Sequence, residues 1–517
     1  MKICLFTYKK AEGCKNSCEN LSGFLKFIWI CTVVFDDRKG RLMKILYVAS
    51  EASPYAASGG LGDVLGSLPA AVIENDEQIS ASVIIPLYDT IKSVYRDELV
   101  WVADINFSLS WRSTGATVYS IKRGGVDYYF IDNYYYFDRG RLYGEFDDGE
   151  RFAFFSMAAI EFILATGNIP DILHANDWQA ALSVIYLKTI YSDIPLLSSI
   201  KTIYTIHNIE YQGKYDLAIL GDVFALQKEH APFVEYDGCI NLMKGAITLS
   251  DFVSTVSPNY ANELRYDFFA FGLSEVIRSA ENKICGIING IDYSYFSPDL
   301  GGDIYFPYTR RAYKSGKAKN KAALQRELGL HVEPAIPLLV MITRLTAGKG
   351  IDLVLHIAEE LLQERVQVVI LGTGEAAYED AFRLIEKKHS NFKALMKFDR
   401  VFSKKIYAAA DIFIMPSKSE PCGLAQMIAC SYGAIPVVRA VGGLYDSIRP
   451  YGADGSLGFV FENYNAHELL YTLKSALTLY DDKKEWSALV RRAITKDFSW
   501  KQSAAKYISL YKNLLKR

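Results

Sequence analysis

From Met43 onward, short runs of Val, Ile and Leu alternate with longer stretches whose apolar residues recur at helical spacing. Runs of this kind, apolar at nearly every position, suit strands covered on both faces by helices. In the first half they predict strands at Ile45–Ala49, Ala81–Ile85, Asp127–Ile131, Ile172–His174, Thr202–Ile206 and Phe252–Val256. A second series follows at Leu338–Thr343, Gln367–Leu371, Asp411–Met415 and Ile435–Val438. Between the two series, roughly residues 299–337, lies a polar segment with Gly301-Gly302 and a predicted helix over Lys319–Leu328, which reads as an inter-domain connection. At the end, Ala504, Tyr507, Ile508, Tyr511 and Leu514 mark the apolar face of a docked amphipathic helix spanning Trp500–Leu515. The pattern therefore predicts an α/β chain with two doubly wound domains. Such sheets bind ligands at the carboxyl ends of their strands, so two of them facing each other predict a deep cleft with the function inside it.

The first 42 residues do not follow this alternation. Their one apolar run, Phe27–Phe35, is too short to span a bilayer, and Asp36, Asp37, Arg38 and Lys39 stand where a signal-peptide cleavage site should be. Met43 opens the first buried strand, so the expectation is that residues 1–42 are translated leader upstream of the true start, or else a dispensable extension.

Composition narrows the function. At 517 residues the chain exceeds one ordinary domain. Its 57 basic and 59 acidic residues leave a net charge of −2, which gives no field for nucleic acid or an anionic membrane, so any anionic ligand must be held by a few local cations. Eight cysteines, four of them within residues 1–42, form neither a metal-ligand pattern in the main body nor a disulfide framework, which points to the cytoplasm. No feature specifies an oligomeric state.

Six segments at predicted strand ends carry candidate chemistry. Ser58-Gly59-Gly60-Leu61-Gly62-Asp63 sits between the first strand and a helix, where glycine lets backbone N–H groups approach a phosphate, although the spacing is not the dinucleotide fingerprint. A plain tight turn would look the same. Arg344 and Lys349 follow the first strand of the second half, where a guanidinium and an ammonium can hold a diphosphate and neutralise charge on a leaving group. Glu420, within Pro416–Leu424, can accept hydrogen bonds from sugar hydroxyls or cap the next helix. Gly442-Gly443-Leu444 adds another backbone-lined turn. In the first half, His174-Ala-Asn-Asp177-Trp and His207-Asn end two strands, with no zinc-type spacing between them.

Taken in order, these segments resemble glycosyltransferase family five, the ADP-glucose-dependent glycogen and starch synthases. The resemblance runs from Met43 to the C-terminus and includes Glu51-Ala-Ser-Pro, Gly59-Gly-Leu-Gly-Asp-Val, His174-Ala-Asn-Asp-Trp, His207-Asn-Ile-Glu-Tyr-Gln-Gly and Glu235-Tyr-Asp-Gly. It continues through Thr255-Val-Ser-Pro, Gly286-Ile-Ile-Asn-Gly-Ile-Asp, Thr343-Arg-Leu-Thr, Glu420-Pro-Cys-Gly-Leu, Gly442-Gly-Leu and Asp497-Phe-Ser-Trp. It implies the GT-B fold, with an acceptor-side Rossmann-like domain over 43–300, a linker over 301–337 and a donor-binding domain over 338–497. Residues 498–517 would form a helix crossing back to the first domain. The implied reaction moves glucose from ADP-glucose to the non-reducing 4-hydroxyl of an α-1,4-glucan with retention. The resemblance assigns Arg344 and Lys349 to the diphosphate, Glu420 to the glucosyl or ribose hydroxyls and His207 to the glucose, with Asp177 and Asn289 completing the pocket. Gly59, Gly60, Asp63, Cys422, Gly423, Leu424, Val441, Gly442 and Gly443 fall on the donor side, and Phe398 stands at the adenine-stacking position. It implies neither a metal nor another cofactor.

Four positions depart from that pattern. Ala57 replaces the lysine of the phosphate loop, Val441 a threonine, and Ala270 and Glu275 two glycines. Loss of the lysine predicts a cost of about 1.5–3 kcal/mol, typical of a hydrogen bond to a charged group. Two other readings therefore stand beside an active synthase: an impaired paralogue that binds glucan, or a transferase for another nucleotide sugar. Ile428, where general retaining transferases of this fold carry a second glutamate, favours the synthase branch.

Overall fold

The computed structural model describes residues 41–516. Residues 1–40, with Cys4, Cys14, Cys18, Cys31 and most of the expected leader, lie outside the described residues. Eighteen strands alternate with helices through the rest. In the N-terminal lobe they are β1 (Met43–Val48), β2 (Ile79–Pro86), β3 (Val100–Leu109), β4 (Arg112–Arg123), β5 (Val126–Asp132), β6 (Ile172–Asn176), β7 (Lys201–Ile206), β8 (Lys214–Tyr215), β9 (Glu235–Tyr236), β10 (Cys239–Asn241), β11 (Phe252–Thr255) and β12 (Ile284–Gly286). The C-terminal lobe adds β13 (Leu338–Ile342), β14 (Gln367–Leu371), β15 (Phe392–Leu395), β16 (Ile412–Met415), β17 (Ile435–Arg439) and β18 (Phe459–Phe461).

Nine strands form the first sheet in the order β12-β11-β7-β6-β1-β2-β5-β4-β3, and six form the second in the order β15-β14-β13-β16-β17-β18; β8, β10 and β9 make a separate small sheet. The second sheet is parallel throughout. The first is parallel from β12 to β5 and ends in the antiparallel β4 and β3. Central strands such as β6 and β14 are buried at every position, because helices cover both sheet faces. In each lobe the first strand is flanked by its successor on one side and by a later strand on the other: β2 and β6 around β1, β14 and β16 around β13. These reversals open the crevices in which doubly wound sheets bind ligands. Both lobes are thus Rossmann-like, the GT-B arrangement.

The β3–β4 hairpin has no counterpart among the expected strands. Its buried positions alternate with exposed ones, as in Ile105, Phe107 and Leu109, because one face meets solvent. A search for continuous apolar runs passes over such a pattern.

Segment 301–337 also differs from the expected linker. A helix at Tyr313–Glu327, starting six residues before the predicted Lys319, packs into the C-terminal lobe. Lys317 is buried there and donates to the carbonyls of Ala410 (2.6 Å) and Tyr432 (3.0 Å), and burial pushes its ammonium down to about 7. Lys321 pairs with Asp411 at 2.6 Å. Two lysines that read as solvated linker charge instead tie this helix to the sheet.

The C-terminal helix, Trp500–Lys516, packs on the N-terminal lobe against the helix Gly60–Asn75. Its buried stripe runs through Trp500, Ala504, Tyr507, Ile508, Tyr511 and Leu514. The Tyr511 hydroxyl bonds to Tyr47 at 2.9 Å and to His174 Nδ1 at 3.0 Å. Where the chain crosses, a Cβ on Gly290 would lie 2.5 Å from the Trp500 nitrogen, so only glycine fits. Among the described residues no helix is long and apolar enough to cross a membrane.

Candidate functional site

The N-terminal wall of the cleft is built from the ends of β1, β6 and β7. Three residues beyond β1, Glu51 is almost fully buried. Its carboxylate accepts from the Ser58 N–H (2.6 Å), the Ser58 hydroxyl (2.7 Å), the Tyr143 hydroxyl (2.6 Å) and, more distantly, the Gly59 N–H (3.4 Å). The expected phosphate loop is therefore folded around a carboxylate, and the Ser58 N–H is already committed. Gly59 and Gly60 remain open, since an added Cβ at either would meet nothing within 4 Å. Gly62 has a packing role: its Cβ would lie 2.5 Å from that of Ala57.

At the end of β6, Asp177 adopts a left-handed backbone (φ 56°) and its Oδ1 accepts the N–H groups of His207 (2.8 Å) and Asn208 (3.4 Å). Asn176 donates its amide to the carbonyls of His174 and Val48, which leaves its Oδ1 to accept from His207 Nε2 at 2.9 Å. His207 thus carries its proton on Nε2, and burial pushes its pKa down to about 3, so the ring is neutral with a lone pair on Nδ1. His174 has a different role. It is enclosed by Thr205 (2.6 Å) and Tyr511, likewise pushed down to about 3, and serves as the anchor of the C-terminal helix.

Burial raises the Asp177 carboxyl from 3.8 to about 7, against the pull of the two N–H groups. The folded protein then holds this proton at pH values where the unfolded chain has released it. This contribution to stability is full below about pH 4 and is lost as pH rises to about 7. Asp177→Asn keeps the acceptor oxygen and tolerates the left-handed backbone. Its melting temperature is expected to fall less than that of the natural protein between about pH 5 and about pH 8. Thermal melts giving parallel slopes for the two proteins would exclude a raised Asp177.

The C-terminal wall is built on β13 and β16. A 3₁₀ turn at Ala347–Lys349 ends in Gly350, whose φ of 72° and approach to the Pro416 carbonyl (2.2 Å from an added Cβ) require glycine. The Lys418 N–H bonds to the Gly348 carbonyl at 2.9 Å, locking the two strand-end loops together. This lock brings the Lys349 ammonium to 2.6 Å from Glu420 Oε2, which also accepts the Ser417 hydroxyl at 3.0 Å. Arg344 is exposed on the same strand end and makes no ion pair among the described residues. Behind Glu420, the Gly443 N–H donates to its carbonyl at 3.1 Å, and an added Cβ on Gly442 would lie 2.0 Å from that oxygen. Gly423 also has a positive φ (69°), and Leu424 and the fully buried Val441 complete the loop floor. Burial pushes the Cys422 thiol up to about 12, which makes it inert packing.

The two walls meet through polar contacts that sequence reasoning did not single out. Glu263 accepts the Gly442 N–H at 2.8 Å, and Asp446 accepts the Ser257 hydroxyl (2.5 Å) and the Asn259 N–H (2.9 Å). The Asn289 N–H faces the Cys422 thiol, while its side-chain oxygen is buried without a partner. Asp63 pairs with Arg400 at 3.2 Å across a cavity of about 680 Å³, which Ala57, Leu424 and Ile428 also line. Arg344, Lys349, Glu420 and His207 are outside that cavity wall. Phe398 is 80% exposed, and among the described residues its ring stacks on no other ring or cation. Among the described residues no group of three or more His, Cys, Asp or Glu is arranged to hold a metal ion.

The site can be compared with known proteins on this footing. Residues 44–279 match the model of the starch synthase catalytic domain, and residues 331–492 that of the glycosyl transferases group 1. The glycogen synthase of Streptococcus mutans is 42% identical over 478 residues, covering 91% of this chain and 100% of the relative. The chain belongs to the glycogen synthase family. The glycogen synthase of Alkaliphilus metalliredigens, 40% identical, covers the same shares. The catalytic domain of starch synthase IV from Arabidopsis thaliana, solved with ADP and acarbose, is 33% identical with a TM-score of 0.85, covering 92% of this chain and all of that one. The sucrose-phosphate synthase of Thermosynechococcus elongatus, at 15% identity and a TM-score of 0.58, shares the fold. This glycogen synthase family member is accordingly a glucosyltransferase.

Proposed function

We propose that the chain transfers glucose from ADP-glucose to the non-reducing 4-hydroxyl of an α-1,4-glucan, with retention at the anomeric carbon. The Lys349–Glu420 pair at the switch point of the second sheet carries this reading. An ammonium has three N–H donors, and Glu420 takes one, so two remain for a diphosphate. Arg344 beside it supplies a planar guanidinium free to bind phosphate oxygens. As the bond from the anomeric carbon to the phosphate oxygen breaks, its electron pair leaves on ADP, and these two cations stabilise the growing charge. The glucan oxygen bonds to the anomeric carbon, and its proton passes to the departing diphosphate oxygen.

Glu420, oriented by Ser417 and Lys349, is suited to accept hydroxyl hydrogen bonds from the donor. From the opposite wall, neutral His207 offers the Nδ1 lone pair to a glucose hydroxyl, and Asp177 holds the backbone that places it. The unpartnered Asn289 oxygen is a further acceptor, and exposed Phe398 offers a face to the adenine. The cations of this scheme are side chains, so it requires no metal. Free Cys239, Cys285, Cys422 and Cys430 suit a cytoplasmic enzyme. The ADP bound by the starch synthase supports an adenine nucleotide donor.

The test is transfer of labelled glucose to glycogen from ADP-glucose and, in parallel, from UDP-glucose. Faster transfer from ADP-glucose is expected, with the label released by an enzyme that cleaves α-1,4 links. Preference for UDP-glucose would replace the donor, and no transfer from either would leave the impaired paralogue.

A further inference from the structure

A second cavity, of about 350 Å³, lies beside the joint between the lobes, and none of the residues placed in the transfer scheme lines it. Three cations converge on it. Arg449 comes from the segment after the helix Gly442–Ser447, and Arg492 and Lys496 come from the end of the helix Lys483–Thr495. Among the described lining residues, Asp446 carries the only carboxylate. Its Oδ2 is already committed to the Ser257 hydroxyl and the Asn259 N–H of the other lobe. Arg492 uses two of its five N–H donors on Ser456, at the carbonyl and the hydroxyl, each at 3.1 Å. Arg449 and Lys496 are exposed, and among the described residues neither makes an ion pair or a side-chain hydrogen bond.

In a chain whose 57 basic residues meet 59 acidic ones, this imbalance is local. Cations at a helix C-terminus answer the negative end of its dipole, which explains Arg492 and Lys496. It does not explain Arg449, which arrives from another segment and adds like-charge repulsion. A fourth cation is close by: Arg310 stands 5.1 Å from the Tyr293 ring, whose hydroxyl donates to the Lys496 carbonyl at 3.3 Å. A concave wall of one sign concentrates counter-ions, and guanidinium forks match phosphate oxygens.

We propose that this cavity binds a small phosphate-bearing anion, outside the donor and acceptor sites. A volume of this size suits a small ester, with the guanidinium groups on the phosphate oxygens and Lys496 as a point charge. An anion seated there would tie Lys496 to Arg449 of the second lobe. Two residues after Lys496, the Phe498 N–H docks on the Tyr293 hydroxyl of the first lobe at 3.1 Å. Ser447, also on the cavity wall, accepts the Gln426 amide at 3.0 Å. The same amide donates to the Gly423 carbonyl at 2.9 Å, in the loop that carries Glu420. Occupancy therefore braces both the interlobe joint and that loop.

The experiment is titration calorimetry and thermal melting of the full chain with inorganic phosphate, against chloride at equal ionic strength. It requires no donor, acceptor or turnover. The natural protein is compared with Arg344→Ala and with the Arg449→Ala, Lys496→Ala double variant. Phosphate is expected to bind the first two alike and to raise their melting temperatures. The double variant should bind at least about tenfold more weakly, the usual loss when a hydrogen bond to a charged group is removed. Ribose 5-phosphate in a parallel arm separates the sources: tighter binding than inorganic phosphate assigns an ester, and any other order the free anion. No binding, or equal binding by all three proteins, would overturn the proposal. So would a loss confined to Arg344→Ala, which would place the anion at the transfer site. Without phosphate the double variant should melt no lower than the natural protein, because only unpaired like charges are removed. A lower melting temperature there would mean that these cations hold the fold, and would overturn the proposal as well.

Discussion

Lys349→Ala is expected to lower kcat about 100- to 1,000-fold, the usual consequence of removing one preorganised donor from developing transition-state charge. The reason is geometric. Lys349 is held by the lock between the 3₁₀ turn and the loop after β16, and Arg344 follows the same strand. Stability falls as well, because Glu420 keeps only the Ser417 hydroxyl and its side chain is 9% exposed. Lys349 itself is 21% exposed, so water reaches the vacated space and the loss should be about 1–3 kcal/mol rather than that of a fully buried pair. The Lys349→Ala, Glu420→Gln double variant separates the two effects. It removes the uncompensated carboxylate and should recover much of the melting temperature while turnover stays low. If the single variant keeps kcat within about threefold, charge stabilisation by Lys349 is not part of the chemical step.

Ala57→Lys is expected to raise kcat/KM for ADP-glucose about 10- to 100-fold, since a charged hydrogen bond contributes about 1.5–3 kcal/mol and each 1.4 kcal/mol is tenfold. The structure makes room for this change. Ala57 is exposed on the cavity wall, and the loop around it is held by Glu51 rather than by the Ala57 side chain. The added methylenes extend into open cleft, and Gly62 already accommodates the Cβ. Arg400 lines the same cavity, where Asp63 balances its charge. A variant no faster than the natural protein would show that this wall has enough positive charge without a lysine. A silent natural protein awakened by the variant would identify an impaired paralogue.

The strand ends that matter are legible in the sequence, because their residues announce themselves locally. β14 was placed to the residue, and the other expected strands to within one or two residues, since a strand covered on both faces must be apolar at nearly every position. Glu51 was visible only as part of a motif. Its function as the post around which the 57–60 loop folds depends on contacts from Ser58 and Tyr143, the latter 92 positions away. The two histidines show the same limit more sharply. Both end strands and both sit in polar clusters, yet His174 is sealed by a helix from the far C-terminus while His207 faces the cleft.

By itself the sequence determined the α/β class, the two mainly parallel sheets and the family, because periodicity and short motifs are properties of neighbouring residues. Only the tertiary structure decided which charges pair, that the lysines of 313–327 belong to the second lobe, and that Ser257, Asn259 and Glu263 join the lobes at Gly442 and Asp446. Burial and partner choice are set by segments a hundred or more residues apart, and no local pattern encodes which of them will meet.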